Sequence, residues 1–293
     1  MASPELAWVK QKVADDRGRA GVSGDRHDPV AARASLPETR LPLPEGLEIS
    51  QLQAGDVTVY RVQAREAGSD RAVLHLHGGG FSAGGFGSHR TLAGWLSEFS
   101  GATVLFPEYR LAPEHRFPAG LEDCFAAYEF ALSEDPRELF VTGDSAGGAL
   151  GISVFQMARD RGLRVPDGLV VICGMLDLDE ERSTFLQMAQ RTRDNVRLYV
   201  ERLSDLKHPL ASAMEADLTG LPPLLIQTGS EDYCADECER FAAKAKAAGA
   251  AVGFENWPEM VHVWHRFAPK LPEANDALKR IAAWMDEVGG RDA

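Results

Sequence analysis

The sequence predicts an α/β fold with a mostly parallel eight-stranded sheet, helices on both faces and a small helical lid. From residue 45 onward, apolar runs of strand length alternate with longer amphipathic segments. This alternation is typical of βαβ units, whose parallel strands are buried on both faces. The first two strands are expected to pair antiparallel. The predicted strands are 47–53, 57–63, 71–77, 102–107, 138–142, 168–173, 222–228 and 251–257.

Helices are predicted between these strands, and the last two are rich in the good helix formers Ala, Lys and Glu. Two regions break the alternation. Residues 1–44 hold a predicted helix at 3–15 and a proline-punctuated connector, and 178–215 holds about two polar helices where a short crossover would suffice. We expect a single domain over 1–293, with a lid formed by 1–44 and 178–215. The predicted core helices are 89–99, 118–133, 146–161, 234–249 and 273–287.

Composition excludes several classes of partner. The chain has 293 residues, of which 44% are hydrophobic, and this is enough for a substantial core. Its net charge of −13 opposes binding to nucleic acid, anionic membranes and polyanionic substrates. The charged N-terminus lacks an apolar signal core, and only four cysteines are present, so we expect a cytoplasmic protein without a disulfide framework.

A candidate nucleophile follows the strand at 138–142. Gly143, Ser145 and Gly147 form a G-x-S-x-G pattern, and a helix-forming segment comes directly after it. A sharp turn from strand to helix exposes the serine hydroxyl at the edge of a sheet, and the flanking glycines allow close backbone contacts. This context favours Ser145 as a nucleophile over a serine that only caps the helix.

A serine nucleophile needs a base and an acid that orients the base, and both are expected on loops after later strands. The loop after 222–228 offers Glu231 and Asp232 as the acid. The loop after 251–257 offers His262 and His265 as the base. The residues alone leave both choices open. Five of the other histidines are expected to be solvated or structural, with His89 and His115 in polar loops and His75 in the core: His27, His75, His89, His115 and His208.

Three consecutive glycines, Gly78 to Gly80, follow a predicted strand. Glycine has no side chain that could pack there, so the three glycines need another explanation. Acyl transfer develops an oxyanion that backbone N–H groups must meet. We expect the N–H groups of Gly78, Gly79 and Ala146 to form this oxyanion hole. A phosphate-binding loop is disfavoured because the spacing G-x-G-x-x-G and a following Lys-Ser/Thr are both missing.

These residues strongly resemble the hormone-sensitive-lipase-like (bacterial family IV) carboxylesterases of the α/β-hydrolase superfamily. The resemblance begins near residue 70 and rests on HGGGF at 77–81, EYRLAPEHRFPAGLEDC at 108–124 and GDSAGG at 143–148. It implies the α/β-hydrolase fold and a triad in which Asp232 is the acid and His262 the base. It also implies that His77 orients the glycine loop, that a lid shapes the acyl pocket, and that a homodimer can form through the sheet edge.

The sequence departs from the family in two places. Glu108 stands where the family more often has Asp, and the segment after 178 is polar and lacks the usual proline-tryptophan sequence. Four residues are candidates for lining the acyl pocket, although core or lid packing is an equal alternative for Phe86 and Met188: Phe81, Phe86, Met188 and Trp264. Cys234 and Cys238 are expected to pack on one helix face rather than to bind a metal.

The sequence therefore predicts a serine carboxylesterase that needs no cofactor or metal. Its expected substrates are small esters with short to medium acyl chains, or lactones, which it would hydrolyse through an acyl-enzyme. Two alternatives remain open. The same pocket could serve elimination or cyclisation in a biosynthetic pathway, or the chain could be a non-catalytic ligand-binding member, because the fold does not fix the chemistry.

Overall fold

The computed structural model describes residues 2–22, 33, 41–188 and 190–290. In these residues, eight strands form one sheet in the order β1-β2-β4-β3-β5-β6-β7-β8. The strands are β1 Glu48–Ala54, β2 Val57–Gln63, β3 Gly68–Leu76, β4 Ala102–Pro107, β5 Glu138–Asp144, β6 Gly168–Ile172, β7 Leu224–Gly229 and β8 Val252–Trp257.

The sheet is mostly parallel, as the sequence predicts. β1 and β2 form an antiparallel pair, β2 pairs antiparallel with β4, and the remaining neighbours are parallel. In the pairing of β3 with β5, Leu76 lies opposite Gly143. Because both strands run the same way, the glycine loop after β3 and the serine turn after β5 emerge at one edge of the sheet.

Helices cover both faces of the sheet, and the central strands β4 to β7 are buried along their whole length. Successive residues of β5 point to opposite faces, so Leu139 and Val141 join one hydrophobic cluster while Phe140 joins the other. The α-helices are α1 Glu5–Val22, α2 Phe86–Ser100, α3 Ala119–Ser133, α4 Ala146–Asp160, α5 Thr184–Met188, α6 Gln190–Tyr199, α7 Ala235–Ala247 and α8 Pro272–Gly289. Within the described part of the chain, no helix combines the length and apolar character that a bilayer crossing requires.

The segment 178–215 holds two short helices, α5 and α6, as the sequence predicts, and two 3₁₀ turns follow them. The N-terminal helix α1 packs beside the C-terminal part of the chain, where Ser3 Oγ donates to Glu273 at 2.7 Å and Trp8 contacts Phe267 edge to face. Arg33 donates to the carbonyl oxygen of Ser82, next to the glycine loop. The lid over 1–44 and 178–215 stays a prediction, and residues 1, 23–32, 34–40 and 189 of these two segments lie outside the described part of the chain.

Candidate active site

Ser145 occupies a sharp turn between β5 and α4. Its backbone has φ 52° and ψ −118°, in the positive-φ region that non-glycine residues rarely adopt. The two flanking glycines make this turn possible, because a Cβ atom on Gly143 would lie 2.2 Å from the carbonyl oxygen of Gly147. A Cβ on Gly147 would lie 1.9 Å from the carbonyl oxygen of Leu76. The glycines thus let the turn close against β3.

The glycine loop packs directly against the serine turn. A Cβ on Gly78 would lie 2.3 Å from Asp144 Oδ2 and 3.0 Å from the Cβ of Ser145. Gly79 has φ +127°, and a Cβ there would lie 2.1 Å from the carbonyl oxygen of Ala83. Only glycine fits at both positions without moving the backbone.

The backbone N–H groups at this junction are available to an incoming ligand. The hydrogen bonds of the described residues include none donated by the N–H groups of Gly78 or Gly79. Ala146 begins α4, so its N–H has no acceptor one helical turn earlier. Among the described residues, these three donors at or next to the serine turn suit the binding of an oxyanion.

The side chain of His77 holds the glycine loop in place. Its Nδ1 lies 2.7 Å from the carbonyl oxygen of Gly78, and Tyr109 stacks on the imidazole at a centroid distance of 4.1 Å and donates to the His77 carbonyl. Burial lowers the pKa of His77 to about 3, so the ring is neutral at physiological pH. The carbonyl of Gly78 can only accept, and Nδ1 therefore carries the proton.

Behind the serine turn, the carboxylate of Asp144 lies between two histidines. His75 Nε2 is 3.4 Å from Asp144 Oδ1, and His89 Nε2 is 3.3 Å from Oδ2. Burial opposes ionisation of Asp144, but the two histidines outweigh it and hold its pKa well below the usual range. The expectation of a polar loop at His89 was wrong, because α2 begins at Phe86 and its packing against β2 and β4 buries His89.

Asp232 and His262 form a close pair at the ends of β7 and β8. Nδ1 of His262 lies 2.8 Å from Asp232 Oδ1, while Thr228 Oγ1 donates to Oδ2 at 2.9 Å and the N–H of Cys234 donates to Oδ1. Burial would raise the pKa of Asp232, but the charge and hydrogen bond of His262 and the Cys234 N–H lower it to about 2. The ring of Tyr233 packs on His262 at 4.1 Å, a contact that no sequence motif indicated.

Glu231 and His265 are the other candidates for the acid and the base that the sequence left open, and they lie in different surroundings. Glu231 lies at the surface and pairs with Lys10 at 2.6 Å. His265 is fully buried, and its Nε2 lies 2.8 Å from Gln227 Oε1. The structure thus brings Asp232 and His262 together. Among the described residues Ser145 Oγ makes no hydrogen bond to His262, a contact that often tightens only in the substrate complex.

The four candidate pocket residues differ in their environments. Phe81 follows the glycine loop and stacks on Tyr199 of α6 at 3.9 Å, which joins the loop to the segment 178–215. Phe86 stacks on Tyr60 at 4.0 Å and belongs to the core. Trp264 is fully buried and donates to the carbonyl of Glu273, so its contacts are those of a core residue. Met188 ends α5, and its side chain lies outside the described part of the structure.

The buried carboxyl group of Glu237 on α7 anchors the start of the segment 178–215. It accepts from the N–H groups of Leu176 at 3.1 Å and Asp177 at 3.3 Å and from the hydroxyl of Ser183. Burial raises the pKa of Glu237 to about 7 despite these donors, and the nearby charge of Asp177 adds to the rise.

Replacing Glu237 with glutamine should therefore flatten the pH dependence of stability. The pKa is about 7 in the folded chain against 4.5 as the ordinary value, so the folded state binds the extra proton in this window. The proton therefore adds to the free energy of unfolding at pH below 4.5, and this contribution is lost as the pH rises through about 7. The contribution is at most about 3 kcal/mol. Urea unfolding across this window should show a steeper fall for the wild type than for Glu237→Gln. Glu239→Gln, at an exposed position of the same helix, is the control, and parallel curves for wild type and Glu237→Gln would contradict the expectation.

Comparison with known proteins agrees with this architecture. A profile of the α/β-hydrolase fold matches residues 73–266. An acetyl-hydrolase of Streptomyces hygroscopicus is 37% identical over 99% of both chains. The carboxylesterase NlhH of Mycobacterium tuberculosis is 34% identical over 71% of this chain and 70% of its own.

Solved structures extend the similarity to the whole described fold. The esterase EstE5, from a crystal soaked with p-nitrophenyl butyrate, superposes with a TM-score of 0.90 at 34% identity, covering 99% of this chain and 100% of its own. An esterase from the bacterial hormone-sensitive lipase family superposes with a TM-score of 0.85 at 33% identity, covering 98% and 99% of the two chains. The chain belongs to the hormone-sensitive-lipase-like carboxylesterases of the α/β-hydrolase superfamily, and this membership supports the hydrolysis of carboxylic esters.

Proposed function

We propose that the protein is a serine carboxylesterase that hydrolyses small esters of short to medium acyl chains through an acyl-enzyme. Ser145 is the nucleophile, His262 the base and Asp232 the acid. The observation that carries the proposal is the 2.8 Å contact between His262 Nδ1 and Asp232 Oδ1, and the strained turn that holds Ser145 supports it. Membership in the carboxylesterase family supports the same reaction.

The first half-reaction transfers the acyl group to the enzyme. Because Asp232 stays ionised above its pKa of about 2, it accepts a hydrogen bond from the Nδ1–H of His262, and this leaves the lone pair of Nε2 free to accept a proton. Nε2 removes the proton of Ser145 as Oγ bonds to the carbonyl carbon. The bond to the leaving oxygen then breaks, and the alcohol departs with the proton from His262.

The second half-reaction releases the acid. Water, deprotonated by His262, attacks the acyl carbon, and the proton returns to Ser145 as the acyl-oxygen bond breaks. In both halves the oxyanion accepts hydrogen bonds from the N–H groups of Gly78, Gly79 and Ala146. Every proton that leaves one group is accepted by another, so the residues of the chain suffice for the cycle.

Replacing Gly78 with alanine should lower kcat by about a hundred- to a thousand-fold. The added Cβ, 2.3 Å from Asp144 Oδ2, forces the loop away from Ser145 and separates the oxyanion donors. Gly80→Ala is the matched control, because no atom lies within 4 Å of a Cβ there and only the cost of φ +61° is added. If folded Gly78→Ala hydrolyses esters as fast as Gly80→Ala, the glycine loop does not bind the oxyanion.

We expect kcat/KM to reach its maximum at roughly four to eight acyl carbons in a series of p-nitrophenyl esters. Each methylene that finds an apolar wall adds about 0.8 kcal/mol of binding, until the chain meets Phe81. The stack of Phe81 on Tyr199 supports such a wall, because both rings are buried and cannot move aside without leaving a cavity. The related esterase EstE5 was soaked with a butyrate ester, which lies at the lower end of this range, whereas the name of the acetyl-hydrolase refers to a shorter acyl group.

The series is measured below the solubility limit of each ester at fixed pH, with several lactones alongside. A maximum at palmitoyl esters or beyond would contradict the short pocket and indicate an apolar tunnel under the segment 178–215.

The cytoplasmic location and the homodimer stay predictions.

A further inference from the structure

A thiol lies beside the proposed catalytic pair. Ligand atoms of Cys173, Asp232 and His262 all lie within 4.8 Å of one another, and this is the one such group of three among the described residues. The mechanism uses the carboxylate and the imidazole but has no role for the thiol. Sulfur, nitrogen and oxygen from these three residue types are the donors that zinc and cadmium prefer.

The fold turns this thiol toward the pair. Cys173 directly follows β6 and has φ +50°, and its sulfur lies within 4.8 Å of the ligand atoms of Asp232 and His262. The N–H of Val263, the residue after His262, donates to Cys173 Sγ at 3.2 Å. Val263 itself has φ +51°, so two strained residues meet at this contact. The contact therefore joins the loop after β6 to the loop that carries His262.

The separations suit a shared ion. Bonds of about 2.0–2.3 Å in tetrahedral directions place ligand atoms roughly 3.3–3.7 Å apart. The three atoms already lie within 4.8 Å, and the 2.8 Å between His262 Nδ1 and Asp232 Oδ1 needs only a small opening. Cys173 and Asp232 are buried, while the side chain of His262 keeps 12% of its surface exposed and gives access from solvent.

We propose that Cys173, Asp232 and His262 bind a thiophilic divalent cation, Zn²⁺ or Cd²⁺, and that the bound cation stops ester hydrolysis. The Cys173 thiol loses its proton to the buffer and binds as thiolate, and Asp232 binds as the carboxylate that it already is. His262 binds through Nδ1, whose proton moves to Nε2. A water completes the tetrahedral set, and one proton is released for each ion bound.

Inhibition follows from the position of the ring proton. A neutral imidazole that coordinates through Nδ1 carries its proton on Nε2, so it has no lone pair for the proton of Ser145. The inhibition therefore rests on the proposed function, whereas the binding rests on the geometry of the three ligands alone. The two parts can be tested separately.

Binding is measured by titrating the protein with Cd²⁺ and recording the ultraviolet thiolate-to-cadmium charge-transfer band. Wild type and Ser145→Ala should give the same band, since the serine is not a ligand. Cys173→Ser should lose the band and bind Cd²⁺ at least tenfold more weakly. Replacing a group that only hydrogen-bonds to a metal ligand already lowers metal affinity tenfold or more, and Cys173 is itself a ligand in the proposed site. Cys238→Ser, another buried thiol nearby, should keep the band and serves as the matched control.

Inhibition is measured as the loss of ester hydrolysis on adding Zn²⁺ and its recovery on adding a chelator. Each variant is compared with its own metal-free rate, and thermal unfolding confirms that Cys173→Ser is folded, with Cys173→Ala as a second variant. A band retained in Cys173→Ser, or equal inhibition of Cys173→Ser and wild type, would overturn the site. A cadmium band in a wild type that hydrolyses no ester would leave the site standing and refute the proposed function instead.

Discussion

Replacing Ser145 with alanine should lower kcat for p-nitrophenyl butyrate by about a million-fold, the usual cost of losing a triad nucleophile. The fold should not change, because alanine meets the same φ of 52° as serine and the tight contacts of the turn belong to Gly143 and Gly147. The backbone N–H of residue 145 still donates to the carbonyl of Ile172. The substitution thus removes the nucleophilic oxygen and little else.

The measurement is steady-state hydrolysis by protein freed of contaminating esterase, together with thermal unfolding. Ser153→Ala is the matched control, since Ser153 is also a buried serine of this turn-helix unit and donates to the carbonyls of Ala149 and Leu210. It should lose stability and keep its rate. A folded Ser145→Ala that retains a sizeable share of wild-type turnover would show that another residue is the nucleophile.

The sheet was predictable because its signals are local. Apolar runs of strand length separated by amphipathic segments gave all eight strands to within a few residues, and the strand-turn-helix context of G-x-S-x-G located the sharp turn at Ser145. The largest differences in the sheet are at its strand ends, where β3 begins at Gly68 rather than 71. Such ends depend on pairing with neighbours, which single-sequence patterns do not report.

The residues around the candidate site were less predictable, because their contacts join residues that are far apart in the sequence. His89 and Asp144 are far apart in sequence, and only the packing of α2 on the sheet places a buried carboxylate against the imidazole. The contact of Cys173 with Val263 likewise joins two loops from different strands. The sequence offers one signal for such groups: polar residues inside otherwise apolar elements, which must find partners when they are buried.

His262 and His265 are three residues apart, and their substitution should have opposite consequences. His262→Ala should lower kcat/KM about as far as Ser145→Ala, because the base and the nucleophile act as one unit. His265→Ala should keep the rate to within about tenfold but unfold at a lower temperature, since it leaves Gln227 without its 2.8 Å partner in the core. Burial lowers the pKa of His265 to about 3, which fits a neutral structural ring.

Both variants are compared on the same ester at a temperature where thermal unfolding shows each to be folded. His75→Ala, which removes another fully buried histidine, is the control for the loss of a core imidazole. An inactive, folded His265→Ala beside an active His262→Ala would reverse the assignment of the base. The geometry predicts the other result, because of the two histidines only His262 has a carboxylate 2.8 Å from its Nδ1 and a side chain that is partly exposed to solvent.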